Sequence, residues 1–158
     1  MIILGIDPGN VRAGYGIIRK ENGKLTHIES GLIKIPSGAD TGAQLLSLES
    51  GLESIIKRVR PDIVGVEKIF LTKNKKTGVF VAQARGLIMK VIAFYGLNLV
   101  EFSPPSIKLA VAGDGRADKK GVAKMVGLFL GIDTGGLIDD VTDALATAIA
   151  ASNQIQRS

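Results

Sequence analysis

The chain has 158 residues, 46% of them hydrophobic, with no cysteine, one histidine and a formal charge of +5. These features exclude disulfides, thiolate metal sites and cysteine nucleophiles, argue against a histidine-based triad, and indicate a polyanionic partner only weakly. No apolar run reaches the roughly 18 to 20 residues that span a bilayer, and no secretion signal or linker is recognisable. We therefore expect one cytoplasmic domain over residues 1–158, away from membranes, whose hydrolytic chemistry rests on carboxylates.

Three strands open the predicted fold. Residues 2–6 form an apolar run that stops at Asp7, immediately before Pro-Gly, so the first carboxylate lies at the end of a buried strand. Residues 14–20 and 24–35 are strand-like and are separated by a Glu-Asn-Gly sequence, which predicts a hairpin. The single histidine, His27, falls on this hairpin.

A helix and a second buried strand follow the hairpin. Apolar residues recur at intervals of three and four between residues 40 and 59, and Pro61 prevents the helix from continuing. Residues 62–70 form an apolar run without clean alternation, which is typical of a strand covered on both faces. Glu67 lies near the end of this strand.

The helix predicted over residues 77–95 is apolar around most of its circumference, and Gly96 is its expected left-handed cap. A helix of this composition should be buried on more than one side. Two interpretations are open: a core helix in the centre of the molecule, or a helix whose second face meets a partner subunit.

The remaining elements are a fifth strand and three helices. The strand is predicted over residues 98–103, and the helices over residues 104–111, 118–130 and 137–151. The chain order is three strands, helix, strand, helix, strand and then helices. We therefore predict an α/β fold with a five-stranded mixed sheet, three antiparallel strands first, flanked by helices.

Acidic residues occur where strand ends and a helix start could meet: Asp7, Glu67, Asp139, Asp140 and Asp143. Each has an ordinary explanation as a turn residue, a solvated strand end or a member of a first helical turn. An unpaired carboxylate at the end of a buried strand is costly, however, and neither strand offers an arginine. Mg²⁺ and Mn²⁺ prefer oxygen ligands, and two such ions support phosphodiester hydrolysis. The pattern favours nuclease chemistry.

Helical spacing does not decide which aspartates of the last cluster act together. Asp140 with Asp143 and Asp139 with Asp143 are both same-face pairs.

Basic residues form two groups. The first surrounds Phe70 and consists of Lys68, Lys73, Lys75 and Lys76; the second lies in the late helices and consists of Lys108, Arg116, Lys119, Lys120 and Lys124. The ordinary interpretation is solvated loop and helix charge. The functional interpretation is a phosphate-binding surface beside the carboxylates, with Phe70 stacking on a base or entering a junction as a wedge.

With these residues identified, the chain resembles the RuvC-type Holliday-junction resolvases over essentially its full length. The stretches that carry the resemblance are GIDPG with GYGII, VEKIF, AQARG, KLAVAGDGRADK and DDVTDALATAIA. The resemblance implies an RNase H-like fold, a homodimer, a divalent metal and paired cuts in symmetric strands of a four-way DNA junction. It also implies 5′-phosphate and 3′-hydroxyl ends and a branch-migration motor as a partner.

The resemblance assigns roles to individual residues. The family's last motif has an aspartate three positions before a second aspartate and Ala-Leu-Ala, which selects Asp140 over Asp139. The implied ligands of Mg²⁺, or of Mn²⁺, with two ions in each site, are Asp7, Glu67, Asp140 and Asp143. The implied DNA contacts are Phe70, Lys108 and Lys119, with Lys119 offsetting charge near the scissile phosphate.

Further details of the resemblance concern the AQARG helix and two departures. The helix resembles the one at the family's dimer interface, which favours the interpretation with a partner subunit. The sequence has Ala13 where the family usually has threonine, and Lys68 where it commonly has glutamine. Neither change removes a metal ligand, so we expect an active enzyme.

Two other functions compete with this prediction. Actin-like sugar kinases and ATPases also begin with a Gly-Ile-Asp-x-Gly hairpin, but they need two such domains to enclose a nucleotide. A junction-binding module without chemistry would have no need of the complete acidic set.

Overall fold

The computed structural model describes residues 1–68 and 75–154, without the side chains of residues 75–77. Its described part contains a five-stranded sheet in the order β3-β2-β1-β4-β5. The strands are β1 (Ile2–Asp7), β2 (Arg12–Glu21), β3 (Lys24–Lys34), β4 (Ile63–Glu67) and β5 (Asn98–Phe102). The first three strands are antiparallel, whereas β4 runs parallel to β1 and β5 parallel to β4. The predicted mixed sheet with an antiparallel start is therefore confirmed.

Helices cover both faces of the sheet. They are α1 (Thr41–Val59), α2 (Lys75–Phe94), α3 (Pro104–Ala112), α4 (Lys119–Leu130) and α5 (Asp139–Ser152). One hydrophobic cluster joins the sheet to α1 and α2, and the other joins it to α3, α4 and α5. Within the described ranges, no helix is long and apolar enough to cross a membrane.

Helix α5 lies directly on the backbone of the central strands, because glycines face it there. A Cβ atom at Gly5 would stand 2.0 Å from the carbonyl oxygen of Ala144, and one at Gly14 would stand 2.0 Å from that of Asp140. A Cβ atom at Gly65 would stand 3.0 Å from a side-chain carbon of α5. Any larger residue at Gly5 or Gly14 would push the helix away, so these glycines fix the height of α5 above the sheet.

The predicted bounds of β4 were wrong at both ends. The strand covers residues 63–67 rather than 62–70, because Asp62 uses its side chain to accept a bond from the Ile2 backbone nitrogen at 2.6 Å. Lys68 lies beyond the strand, although its backbone nitrogen still donates to the carbonyl oxygen of Phe102. Residues 69 and 70 lie outside the described residues. Strand β2 is longer than predicted and begins at Arg12, which pairs with Lys34.

The expectation that α2 is buried on more than one side was also wrong for a single chain. One face packs into the core through Ala84, Ile88, Val91 and Ile92. The opposite face is exposed and includes Val79, Ala82, Gly86, Ala93 and Phe94. A single chain therefore does not bury α2 as a central core helix. The exposed face of α2 is available for contact with a partner subunit. Gly96 ends the helix with φ 63°, as expected.

Candidate active site

Two carboxylates lie at the ends of neighbouring strands. Asp7 is the last residue of β1, and Glu67 is the last residue of β4. The strands are parallel and Ile6 pairs with Val66, so the two carboxylates come next to each other at one edge of the sheet. Each follows, by two positions, a glycine that contacts α5. Because alternate residues of a strand face the same side, both side chains are directed toward the face covered by α5.

The first turns of α5 bring further carboxylates to this edge. The side chain of Asp139 is 73% exposed, whereas those of Asp140 and Asp143 are 28% and 33% exposed. Asp140 is held at the sheet because its backbone lies against Gly14 of β2. The half-buried aspartates of α5 are therefore Asp140 and Asp143, and Asp139 extends into solvent.

Two cationic side chains bond to the aspartates of α5. The Nζ atom of Lys119 lies 3.1 Å from Oδ2 of Asp139 and 3.6 Å from Oδ2 of Asp143. Lys119 is the first residue of α4, whose amino end is capped by the side chain of Asp118. The Nε atom of Arg12 donates to Oδ2 of Asp140 at 2.5 Å. Cations from two separate elements therefore partly offset the acidic charge.

Burial and the remaining acidic charge both act on the pKa of Asp7. Burial and the negative charges of Glu67, Asp143 and Asp140 raise the pKa of Asp7 from 3.8 to about 8, although Lys119 acts in the opposite direction. Burial is also the main cause that raises the pKa of Glu67, followed by the charge of Asp143. The pKa of Asp143 is raised mainly by burial as well. The site therefore favours additional positive charge.

The donor chemistry of this edge fits a hard divalent cation, because it consists of carboxylate oxygens from separate elements. Within residues 1–68 and 75–154, however, no group of three or more acidic or histidine side chains is arranged to hold one metal ion as it stands. Asp140 and Asp143 are instead bonded to Arg12 and Lys119. Binding of an ion thus requires rearrangement of these side chains.

A cleft of about 220 Å³ opens beside the carboxylates. Its charged lining residues are Glu67, Asp143, Lys108 and Lys119, and its apolar walls come from α3, α4 and α5. The charge of Lys108 lowers the pKa of Glu67, as does that of Lys119. The cleft therefore combines carboxylates with two lysines, an arrangement suited to a phosphate group next to a metal site.

Comparison with protein families identifies the chain. The family model described as "Crossover junction endodeoxyribonuclease RuvC" matches residues 3–151. The chain belongs to the RuvC family. Nucleases of this family hydrolyse DNA phosphodiester bonds and depend on divalent metal ions.

Individual RuvC proteins are similar over nearly their whole length. The RuvC protein of Moorella thermoacetica is 41% identical over 149 residues, which cover 94% of this chain and 89% of the relative. That of Chloroflexus aurantiacus is 44% identical over 149 residues, covering 94% and 91%. The structure of Thermus thermophilus RuvC in complex with a Holliday junction substrate superposes with a TM-score of 0.90 at 26% identity, covering 96% of this chain and 93% of that one. The predicted RNase H-like fold is confirmed.

The structure brings together the predicted residues Asp7, Glu67, Asp140, Asp143 and Lys119 at this edge. Lys108, also predicted, lines the cleft with Glu67, Asp143 and Lys119. Other predicted DNA contacts lie outside the cleft lining: Lys68 is exposed after Glu67, and Arg116 and Lys120 are exposed near the start of α4. Phe70 and Lys73 lie outside the described residues. Lys75 and Lys76 begin α2, but their side chains are outside the described part as well.

Sequence reasoning missed Arg12. The two acidic strands contain no arginine, as predicted, but the arginine that matters comes from β2 and bonds to α5. Strand alternation could have indicated it, because Arg12 lies two positions before Gly14 and therefore shares its face.

Proposed function

We propose that this protein is a structure-selective endonuclease that resolves four-way DNA junctions during homologous recombination and repair. It hydrolyses one phosphodiester in each of two symmetric strands and leaves 5′-phosphate and 3′-hydroxyl ends. The observation that carries the proposal is the meeting of Asp7 and Glu67 with the start of α5 in a RuvC-family chain. The likeness to a RuvC protein in complex with a Holliday junction substrate supports the choice of DNA substrate.

The residues that would hold the metal ions are Asp7, Glu67, Asp140 and Asp143. When bound, two Mg²⁺ ions, or Mn²⁺ in their place, supply activation of a water molecule and stabilisation of the phosphoryl oxygens during in-line displacement. The raised pKa values of Asp7, Glu67 and Asp143 support this assignment, since burial and then neighbouring negative charges disfavour the unpaired carboxylates and favour a bound cation. The lower exposure of Asp140 relative to Asp139 supports the choice between those two.

The chain's own cations would act on the DNA. Lys119 lies beside Asp143 in the lining of the cleft, where its charge would offset that of the scissile phosphate. Lys108 lines the cleft from α3 and would bind the neighbouring DNA backbone. The wider DNA-binding surface of the proposal includes Phe70, Lys68, Lys73, Lys75, Lys76, Arg116 and Lys120.

We propose that two copies of the chain pair through the exposed face of α2. Paired cuts need two active sites, and this face carries Val79, 59% exposed, and Phe94, 73% exposed. Replacing Phe94 with aspartate should convert the protein to a monomer in sedimentation-velocity experiments at micromolar concentration. Leu128→Asp changes an equally apolar, 66% exposed residue on α4 and is the matched control, which should remain dimeric. A dimeric Phe94→Asp protein would contradict this assembly.

The central experiment is cleavage of a mobile four-way junction by the purified protein, with nicks mapped on all four strands. With Mg²⁺ we expect symmetric nicks in two opposing strands, and with EDTA no nicks. Tight junction binding without cleavage in Mg²⁺ or Mn²⁺ would favour a junction-binding module. ATP hydrolysis independent of DNA would favour the kinase-like alternative.

The proposal also covers the extent of the domain, its compartment and its partner in the cell. We expect residues 1–158 to act as one nuclease domain, in the cytoplasm, together with a branch-migration motor. Co-purification of a DNA-dependent ATPase with the junction-bound protein from bacterial extract would support the last of these. Its absence at saturating junction concentration would contradict an obligatory motor.

A further inference from the structure

An arginine at the start of β2 is bonded to one of the proposed metal ligands. The Nε atom of Arg12 donates to Oδ2 of Asp140 at 2.5 Å, across 128 positions of the chain. Arg12 precedes Gly14 by two positions, so its side chain leaves the strand on the face that α5 covers. Gly14 itself lies against the backbone of Asp140. Strand alternation and the contact at Gly14 together place the guanidinium beside the Asp140 carboxylate.

The ion pair between Arg12 and Asp140 can break without disturbing the core. It uses Nε of Arg12 and one oxygen of Asp140, and the side chain of Arg12 is 43% exposed. A partly exposed pair of this kind adds little to stability, so the guanidinium can rotate into solvent without unpacking the core. Lys119 differs, because Asp139 gives it a second carboxylate partner that would keep it beside the cleft when Asp143 is engaged.

A divalent ion at Oδ2 of Asp140 would compete with the Arg12 guanidinium for that oxygen. Both are cations, and two cations on one carboxylate oxygen repel each other strongly at the short distances that each bond requires. An ion that binds Oδ2 therefore requires that Arg12 release this oxygen.

We propose that Arg12 occupies the Asp140 carboxylate in the ion-free site and that a divalent cation displaces the guanidinium when it binds. This inference rests on the proposed function, since it takes Asp140 as a metal ligand. In the absence of ions the guanidinium fixes the carboxylate and lowers the local negative charge. When an ion arrives, the exposed arginine side chain withdraws and frees the carboxylate for the ion.

The first test follows the two side chains separately by NMR on the full chain. The Arg12 Nε–H resonance is assigned with Arg12→Gln, and the position of a released guanidinium is taken from Asp140→Ala, which has no acceptor. On titration with Mg²⁺, the Arg12 resonance should move toward the released position while the carboxyl carbon of Asp140 shifts. If Asp140 responds and Arg12 does not, the inference is wrong and the proposed metal site stands. If the carboxyl carbons of Asp7, Glu67 and Asp140 all fail to respond, the proposed metal site is wrong as well.

The second test measures metal binding directly, by the EPR signal of free Mn²⁺ in titrations without DNA. Arg12→Gln should bind Mn²⁺ about fivefold more tightly than the wild type, because one partly exposed ion pair no longer competes. Arg19→Gln removes an exposed arginine from the same strand and should leave the affinity unchanged. Equal or weaker binding by Arg12→Gln would overturn the proposal.

Discussion

Replacing Asp7 with asparagine should stabilise the metal-free protein while abolishing its chemistry. In the folded protein the pKa of Asp7 is raised from 3.8 to about 8, first by burial and then by the charges of Glu67, Asp143 and Asp140. Because the folded-state pKa lies above the unfolded-state value, the contribution of Asp7 to stability is intact below pH 4. That contribution is lost as the pH rises from about 4 to about 8.

The size of the effect follows from the pKa difference. At pH 7 the unfolded chain carries an ionised Asp7, more than 3 pH units above its ordinary pKa of 3.8. At about 1.4 kcal/mol per pH unit, this lowers the free energy of unfolding by about 4 kcal/mol. Asparagine does not ionise and avoids the loss, but its buried amide needs hydrogen-bond partners. We therefore expect Asp7→Asn to raise the free energy of unfolding at pH 7 by about 2 to 4 kcal/mol.

The assay is urea denaturation followed by circular dichroism, in EDTA, at several pH values between 4 and 8. The gain in Asp7→Asn should be largest at pH 7 to 8 and close to zero at pH 4. Glu21→Gln alters an exposed carboxylate at the β2–β3 turn and should change stability by less than about 0.5 kcal/mol. A gain that is absent at pH 7, or equal at pH 4 and pH 7, would refute the electrostatic account of Asp7.

Two other predictions concern packing and charge. Gly14→Ala should lower the free energy of unfolding by about 3 kcal/mol in urea denaturation, since its Cβ would overlap the carbonyl oxygen of Asp140. The control Gly136→Ala adds a Cβ in open space and should change the free energy of unfolding by less than about 0.5 kcal/mol. Lys119→Met should move the acidic limb of the cleavage-rate profile to higher pH, because Lys119 lowers the pKa values of Asp7, Glu67 and Asp143. The control Lys57→Met, on α1, should leave the acidic limb at the wild-type pH. If the acidic limb of Lys119→Met also stays at the wild-type pH, the charge of Lys119 does not affect the pKa values of the carboxylates.

The parts of the site that the sequence predicted are those with local signals. Asp7 and Glu67 end apolar runs, and a strand end is visible from hydrophobicity alone. The start of α5 was placed within two residues, so its aspartates could be recognised as a cluster. Choosing Asp140 over Asp139 needed family resemblance, because both have helical spacing to Asp143.

The parts that the sequence did not predict depend on distant contacts. The bond from Arg12 to Asp140 joins residues 128 positions apart; strand alternation places Arg12 on the face of Gly14 but does not identify its partner. The approach of α5 to Gly5 and Gly14 likewise depends on how the helix crosses the finished sheet. The composition of α2 indicated burial on several sides, yet a single chain buries one face, because composition does not distinguish a core from an exposed apolar surface.

The most direct test of the central claim is single-turnover cleavage of a four-way junction in Mg²⁺ by Asp140→Asn and Asp139→Asn. If the half-buried aspartates of α5 complete the metal site with Asp7 and Glu67, Asp140→Asn should lose at least about a hundredfold in rate while binding the junction normally. Asp139→Asn should cleave within a few-fold of the wild type, since its side chain is exposed and bonds only to Lys119 among the described residues. Normal cleavage by Asp140→Asn, or loss of cleavage in Asp139→Asn alone, would contradict the account.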